Sequence, residues 1–336
     1  MSEARVEPYR PASGESAAIV IVNWNGGGLL HRCLAAVSAQ TVPPARVLIV
    51  DNASTDGSCD DLAARYPQVE LIKLDRNVGF AAANNVAASR ATDCKWLALL
   101  NPDAFPDPSW LEALLLAASK HPNDVCFGSR LLQADAPQML DGVGDVYHFS
   151  GLVWREARGR TMSDRYLKER EIFSPCAAAA LYRRDVFVAL GGFDEDYFCY
   201  VEDVDFGFRL RLMGHRCLYV PGAVVLHKGS ALSGRRSEFA IYHGHRNLMW
   251  TFVKNMPGAL FWLLLPVHVI VEVVTVLLLA CLGHGRVALR AKIDALRGLP
   301  HIWKKRTALQ SARVVRPVDL ARALHLSIRR SDLSLR

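Results

Sequence analysis

Trp96-Leu97-Ala98-Leu99-Leu100-Asn101-Pro102-Asp103 decides how this chain is read. Five apolar residues in a row form a run of strand length, and a strand without polar alternation is buried on both faces. Asn-Pro ends the run, because proline breaks the ladder and fixes a turn that presents Asp103. About 100 residues later, Glu202-Asp203-Val204-Asp205 places carboxylates again, here where a helix begins.

Upstream of that strand the pattern repeats. Residues 18–23 are apolar and open into Asn23-Trp24-Asn25-Gly26-Gly27-Gly28. Residues 29–40 have helical spacing, and 46–50 form a second strand closing on Asp51. The turn cluster Asn52-Ala53-Ser54-Thr55-Asp56-Gly57-Ser58 follows, then a short helix over 60–66, a strand over 69–74 and a helix over 79–91. This alternation predicts an α/β fold with a mostly parallel central sheet and helices on both faces. Ligands of such sheets sit beyond the carboxyl ends of the strands. Those ends carry Asn23, Asp51, Arg76, Asn101 and Asp103.

Downstream, 109–120 reads as a helix. Residues 135–171 are polar, with Gly and Arg throughout, and read as a mobile, substrate-facing segment. Residues 175–182 read as a strand, 203–213 as a helix stopped by Gly214, and 217–227 as strand, Pro-Gly turn, strand. Residues 260–282 are apolar with one charge, Glu272, and are long enough to span a bilayer.

The chain has 336 residues and a net charge of +7. Residues 284–336 hold 13 Lys and Arg against 3 Asp and Glu, so the basic surplus belongs to the tail. Its position behind the apolar run points to anionic lipid headgroups and away from nucleic acid. Eight cysteines without a Cys-x-x-Cys pair exclude a zinc cluster or disulfide framework. The polar N-terminus shows no secretory apolar core, so a reduced, cytosolic catalytic domain is expected.

The candidate site residues each suggest a chemistry. Asp51 and Asn52, with the turn amides, suit the N3–H edge of a pyrimidine base; a strand-terminating Asx turn is the alternative. Arg76 and the helix start at Gly79 suit diphosphate oxygens. Gly26–Gly28 lack the spacing of a dinucleotide site. Asp103 suits Mg²⁺ or Mn²⁺, which would neutralise a departing diphosphate. Tyr197-Phe198-Cys199-Tyr200 would wall Glu202 and Asp203 with aromatic surface, and partial burial tunes a carboxylate to take a proton from a hydroxyl. Asp205 reads as a capping or structural residue, and His227, closing a later strand, as a further metal ligand.

Taken together, Ile21-Val-Asn-Trp-Asn25, Val50-Asp-Asn-Ala-Ser-Thr-Asp-Gly57, Arg76-Asn-Val-Gly-Phe80, Leu100-Asn-Pro-Asp103, Gly191-Gly-Phe-Asp-Glu195 and Tyr200-Val-Glu-Asp-Val-Asp205 resemble family 2 glycosyltransferases of the inverting GT-A fold. Among these the chain is similar to bacterial rhamnosyltransferase-like members. The resemblance implies a nucleotide-diphosphate sugar donor, a lipid-linked saccharide acceptor and a divalent metal. It implies Asp51 on the base, Asp103 on the metal, Asp203 as general base and His227 assisting the metal. The family's Asp-x-Asp stands here as Asn101-Pro-Asp103. No Gln-x-x-Arg-Trp follows, which favours a single-addition enzyme over a processive synthase. The rival reading is a non-catalytic, nucleotide-binding membrane scaffold with the same fold.

The expected organisation is a polar extension over 1–16, a GT-A domain over 17–235, a helical connection over 236–258, a membrane-associated segment over 259–283 and a basic tail over 284–336. A single crossing would place the basic tail and the nucleotide-sugar site on opposite faces, against the retention of Lys and Arg on the cytoplasmic side. Pro266 and Glu272 therefore predict a kinked, re-entrant or interfacial segment at the cytoplasmic face of the inner membrane.

Overall fold

The computed structural model describes residues 15–229 and 237–327. Most of the N-terminal extension, the domain edge at 235 and the last nine residues of the basic tail lie outside the described residues. In chain order the first half runs β1 (Ala17–Asn23), α1 (Gly27–Ser38), β2 (Arg46–Asp51), α2 (Leu62–Arg65), β3 (Val69–Lys73), α3 (Gly79–Arg90), β4 (Trp96–Leu100), β5 (Ala104–Pro106) and α4 (Trp110–Lys120). Then come β6 (Cys126–Gln133), β7 (Ala136–Gly142), β8 (Asp145–Tyr147), β9 (Val153–Arg155), β10 (Arg170–Ile172), β11 (Ala179–Arg183), α5 (Arg184–Ala189), α6 (Glu202–Leu212) and β12 (Cys217–His227). Four helices follow: α7 (Glu238–Asn255), α8 (Gly258–Cys281), α9 (Gly285–Ala312) and α10 (Pro317–Ala321).

The main sheet has the order β10-β12-β6-β11-β4-β1-β2-β3. Strands β3, β2, β1 and β4 are parallel, as the apolar runs implied. Beyond β4 the sheet is mixed: β11 is antiparallel to β4 and β6, and β12 is parallel to β6. Successive residues of β1 serve opposite faces. Ile19 and Ile21 pack with Leu30 and Leu34 of α1 and Leu111 and Leu115 of α4. Val20 and Val22 pack with Ala81 and Ala87 of α3 and Phe206 of α6. Burial on both faces is why these strands carry no polar alternation.

Four expectations change. Residues 135–171 are an ordered piece of the fold: β7 pairs with β6, β8 with β9 and β10 with β12. The polarity that suggested mobility is consumed in buried ion pairs, Arg155 Nη1 to Asp141 Oδ2 at 2.9 Å among them. The strand expected over 175–182 begins only at Ala179. Residues 217–227 form one strand whose register shifts between Val220 and Val224, so Pro221-Gly222 makes a bulge and not a turn. The region read as a tail contains α9, which packs along α7 and contributes Ala295 and Ile302 to a third core with Tyr147, Phe208, Trp250 and Phe252.

Helix α8 runs 24 residues without a break at Pro266. Its Glu272 is ion-paired with Lys292 of α9, and His268 Nε2 stands 3.8 Å from it. The helix is anchored to the domain through His268, which stacks on Phe252 with ring centroids 3.9 Å apart and bonds Ser150 O through Nδ1 at 2.8 Å.

Candidate active site

One cavity of about 690 Å³ opens at the carboxyl edge of β1, β2 and β4. Asn52, Gly79, Asn101, Asp103, Glu202, Asp203 and His227 line it together, although they come from five separate segments. Of the aromatic run, Phe198 and Tyr200 line it with Cys199. Tyr197 instead turns into the core, its hydroxyl bonded to Asp205 and Thr251.

The register of a short antiparallel pair builds one part of the site. His227 closes β12 opposite Ala104 of β5, which sets it beside Asp103. His227 Nδ1 bonds Asp141 Oδ2 at 2.8 Å. That bond fixes the tautomer, leaving Nε2 facing Asp103 Oδ1 at 3.5 Å. Nε2 is buried and makes no hydrogen bond. A carboxylate, a buried imidazole nitrogen and a supporting carboxylate behind the imidazole form a donor set that fits a divalent cation completing its shell with phosphate oxygens and water. Among the described residues there is no cluster of three or more His, Cys, Asp or Glu arranged to hold a metal unaided.

Another part is built by α6. Asp203 Oδ2 accepts from Ala177 N–H at 3.0 Å, and Oδ1 from Val204 N–H at 2.8 Å. Burial raises the Asp203 carboxyl above its ordinary 3.8, opposed by the Ala177 amide and the Arg155 charge. Glu202 is pushed up well above its ordinary value, by burial first and by Asp203 second. Two adjacent buried carboxyls cannot both ionise cheaply, and the two amide bonds to Asp203 favour its charged form over that of Glu202. Asp205 is structural, as expected: fully buried and bonded to Arg209, Lys254 and Asn255.

Three anticipated residues stand apart from the cavity lining. Asn23 is fully buried and ties the β1 end to Ser54 and Ser58. Asp51 accepts from Ser54 N–H, three residues on, at 3.0 Å, a local bond that holds the turn after β2. Arg76 is exposed. The amides at the start of α3 are also engaged: Val78 N–H by Asn52, Gly79 N–H by Asn77 and Ala81 N–H by Phe198 O. Gly79 is at φ +86°, and a Cβ there would lie 2.5 Å from Phe198 O, so only glycine allows this approach.

The sequence reading missed Asp145, Trp154, Arg155 and Arg158, which line the cavity from the β8–β9 ribbon and its exit. Burial raises Asp145 to about 7, with Arg155 opposing and Asp203 adding to the rise. It also missed Asn247 of α7, whose Nδ2 reaches Tyr197 O, Cys199 O and Tyr200 O at 2.7–3.0 Å.

An α/β sheet with a cleft on its carboxyl edge lined by carboxylates is the architecture of a nucleotide-sugar transferase. The glycosyl transferase family 2 model matches residues 18–191. The chain belongs to that family and is a glycosyltransferase. It is 34% identical over 247 residues to an N-acetylglucosaminyl-diphospho-decaprenol L-rhamnosyltransferase of Mycobacterium tuberculosis, covering 67% of this chain and 80% of that one. It is 25% identical over 227 residues to the O-antigen chain rhamnosyltransferase RfbN of Salmonella typhimurium, covering 67% and 69%. Among solved structures, GalNAc-T7 with UDP, GalNAc and Mn²⁺ superposes with a TM-score of 0.59 at 17% identity, over 71% of this chain and 48% of that one. The mannosyltransferase PcManGT of Pyrobaculum calidifontis, with GDP-Man and Mn²⁺, superposes with a TM-score of 0.53 at 18% identity, over 94% and 90%.

Proposed function

We propose that the protein is an inverting glycosyltransferase that moves rhamnose from a dTDP donor to a hydroxyl of a lipid-linked saccharide in surface-polysaccharide assembly, at the cytoplasmic face of the membrane. The observation that carries the chemistry is that one cavity is lined both by the Asp103–His227 pair and by Asp203. The names of the mycobacterial and Salmonella relatives support the sugar, and the decaprenol of the former supports the acceptor class. A non-catalytic scaffold would not need to keep both sets of charged groups in the cleft.

In this reading Asp203 takes the proton of the acceptor hydroxyl as its oxygen attacks C1 and the diphosphate leaves from the opposite side. The Ala177 and Val204 amides hold the carboxylate in place and favour its charged form. Burial and the neighbouring Asp203 push Glu202 toward its neutral form, which limits the charge of the pair. Asp103 and His227 would hold Mg²⁺ or Mn²⁺, which supplies charge neutralisation for the departing diphosphate; both solved structures named above contain Mn²⁺. Asp51 and Asn52 remain the proposed contacts to the base, and Arg76 a proposed contact to phosphate.

The C-terminal helices support membrane association. Helix α8 is long and apolar enough to cross a membrane. One of its faces, including Trp262, Leu263, Ile270, Val273 and Leu277, is exposed. Helix α9 exposes Leu289, Ile293, Leu296 and Trp303 between exposed Arg286, Arg290, Arg297 and Lys304. An amphipathic helix with cationic flanks lies in the headgroup region of an anionic leaflet. A transfer screen with dTDP-, UDP- and GDP-sugars plus Mg²⁺ or Mn²⁺ tests the function: transfer from a dTDP-sugar is expected, and no transfer from any donor would refute the reading.

A further inference from the structure

A chain of charged contacts runs from His227 to Asp145. His227 bonds Asp141, and Asp141 Oδ2 accepts from Arg155 Nη1 at 2.9 Å. Arg155 Nε stands 3.6 Å from Asp145 Oδ1. Asp145 lines the same cavity as the Asp103–His227 pair and Asp203. That cavity has to hold the sugar ring during transfer.

We propose that Asp145, oriented by its cross-strand partner Arg155, reads the ring hydroxyls of the sugar being transferred. The ribbon is built for this. Register pairs Asp145 with Arg155 and Val146 with Trp154. Asp145, Val153, Trp154 and Arg155 line the cavity, while Tyr147 is fully buried in the core beneath. A carboxylate accepting from two neighbouring hydroxyls, with Trp154 in the same cavity lining for the apolar C–H face, matches the chemistry of a deoxyhexose. A donor lacking or inverting the hydroxyl leaves the buried carboxyl one partner short, and that is how a polar pocket rejects a close analogue. Asp145 is 6% exposed, so water cannot easily stand in.

The inference rests on the nucleotide-sugar reading, and binding separates the two. Dissociation constants are measured with Mg²⁺ for free dTDP and UDP, and for dTDP- and UDP-sugars that differ at single ring hydroxyls. The wild-type chain is expected to discriminate among sugars on one nucleotide by at least about tenfold. In Asp145→Asn that ratio should collapse toward one while free dTDP or UDP binds as before, and Asp145→Glu should restore part of it. Arg155→Lys should weaken the discrimination without abolishing nucleotide binding. If Asp145→Asn does not fold, Asp145→Ser carries the same expectation. An unchanged ratio in a folded Asp145 variant overturns the role of Asp145 and leaves the transferase reading standing. Failure of the wild type to bind any nucleotide or nucleotide sugar overturns both.

Discussion

At the residue scale, the site turns on how one cleft sets two neighbouring carboxyls apart. Glu202 is buried with Oε2 lacking a hydrogen-bond partner, whereas both oxygens of Asp203 accept amide N–H bonds. Because the amide bonds that favour a charged carboxylate belong to Asp203, Glu202→Gln removes little. Steady-state turnover should fall by much less than the roughly 10²-fold that loss of a general base costs. A collapse as deep as that would move the base to Glu202. The pH dependence follows from the raised Asp203. A base works only when deprotonated, so kcat/KM should decline as pH falls through a value above 3.8, the ordinary aspartate figure, with the plateau on the alkaline side. A profile flat down to pH ~4 would contradict this assignment. Asp103→Ala should weaken metal-dependent donor binding; equal donor affinity for mutant and wild type in Mg²⁺ or Mn²⁺ would remove Asp103 from the metal site. Asp103, Asp203 and His227 were legible because each stands where a strand ends or a helix starts, positions marked by local sequence. Asp145 and Arg155 were not, because two three-residue strands give too short an alternation to distinguish a ribbon from a polar loop.

At the element scale, the loop before α6 is held in a conformation that its residues do not favour. Phe198, Tyr200 and Val201 all have φ between +63° and +70°, a region costly for bulky and β-branched side chains. Helix α7 holds it there: Asn247 reaches three of the loop's carbonyls, and Arg246 adds bonds to Asp196 O and Tyr197 O. Asn247→Ala strands buried carbonyls, each worth about 1–3 kcal/mol. Urea unfolding should show a loss of at least ~2 kcal/mol, and kcat should fall more than donor affinity, because the loop ends at Asp203. A mutant with wild-type stability and kcat would show that the loop holds itself. The parallel half of the sheet was legible because double-sided burial leaves uninterrupted apolar runs. The clamp was not, since its partners lie 47–50 residues apart in the chain.

At the scale of the whole molecule, the C-terminal helices are both part of the core and an exposed apolar surface. Helix α9 is tied to the catalytic domain by Lys305 with Asp194 and Asp196 and by Arg306 with the carbonyls of Val253 and Met256. Helix α8 lies against α9 and presents Leu263, 72% exposed, and its neighbours outward. The sequence revealed the apolar run and the basic surplus but not that Lys292 neutralises Glu272, because that pairing depends on how the helices fold back. An interfacial α8 keeps its far end on the cytoplasmic side. Cys281, exposed at that end, should therefore resist a membrane-impermeant maleimide in intact cells and react after lysis. Labelling from outside would establish a crossing. Flotation with vesicles should need anionic lipid and weaken with salt, as cationic flanks require.

The central claim is that this cleft transfers a glycosyl group with Asp203 as the base. Its most direct test is Asp203→Asn, assayed for sugar transfer and, separately, for binding of the nucleotide-sugar donor. The expected result is a fall in transfer of about 10²-fold or more with donor affinity nearly intact, because the base acts on the acceptor and not on the donor. Turnover close to wild type in that variant would contradict the account.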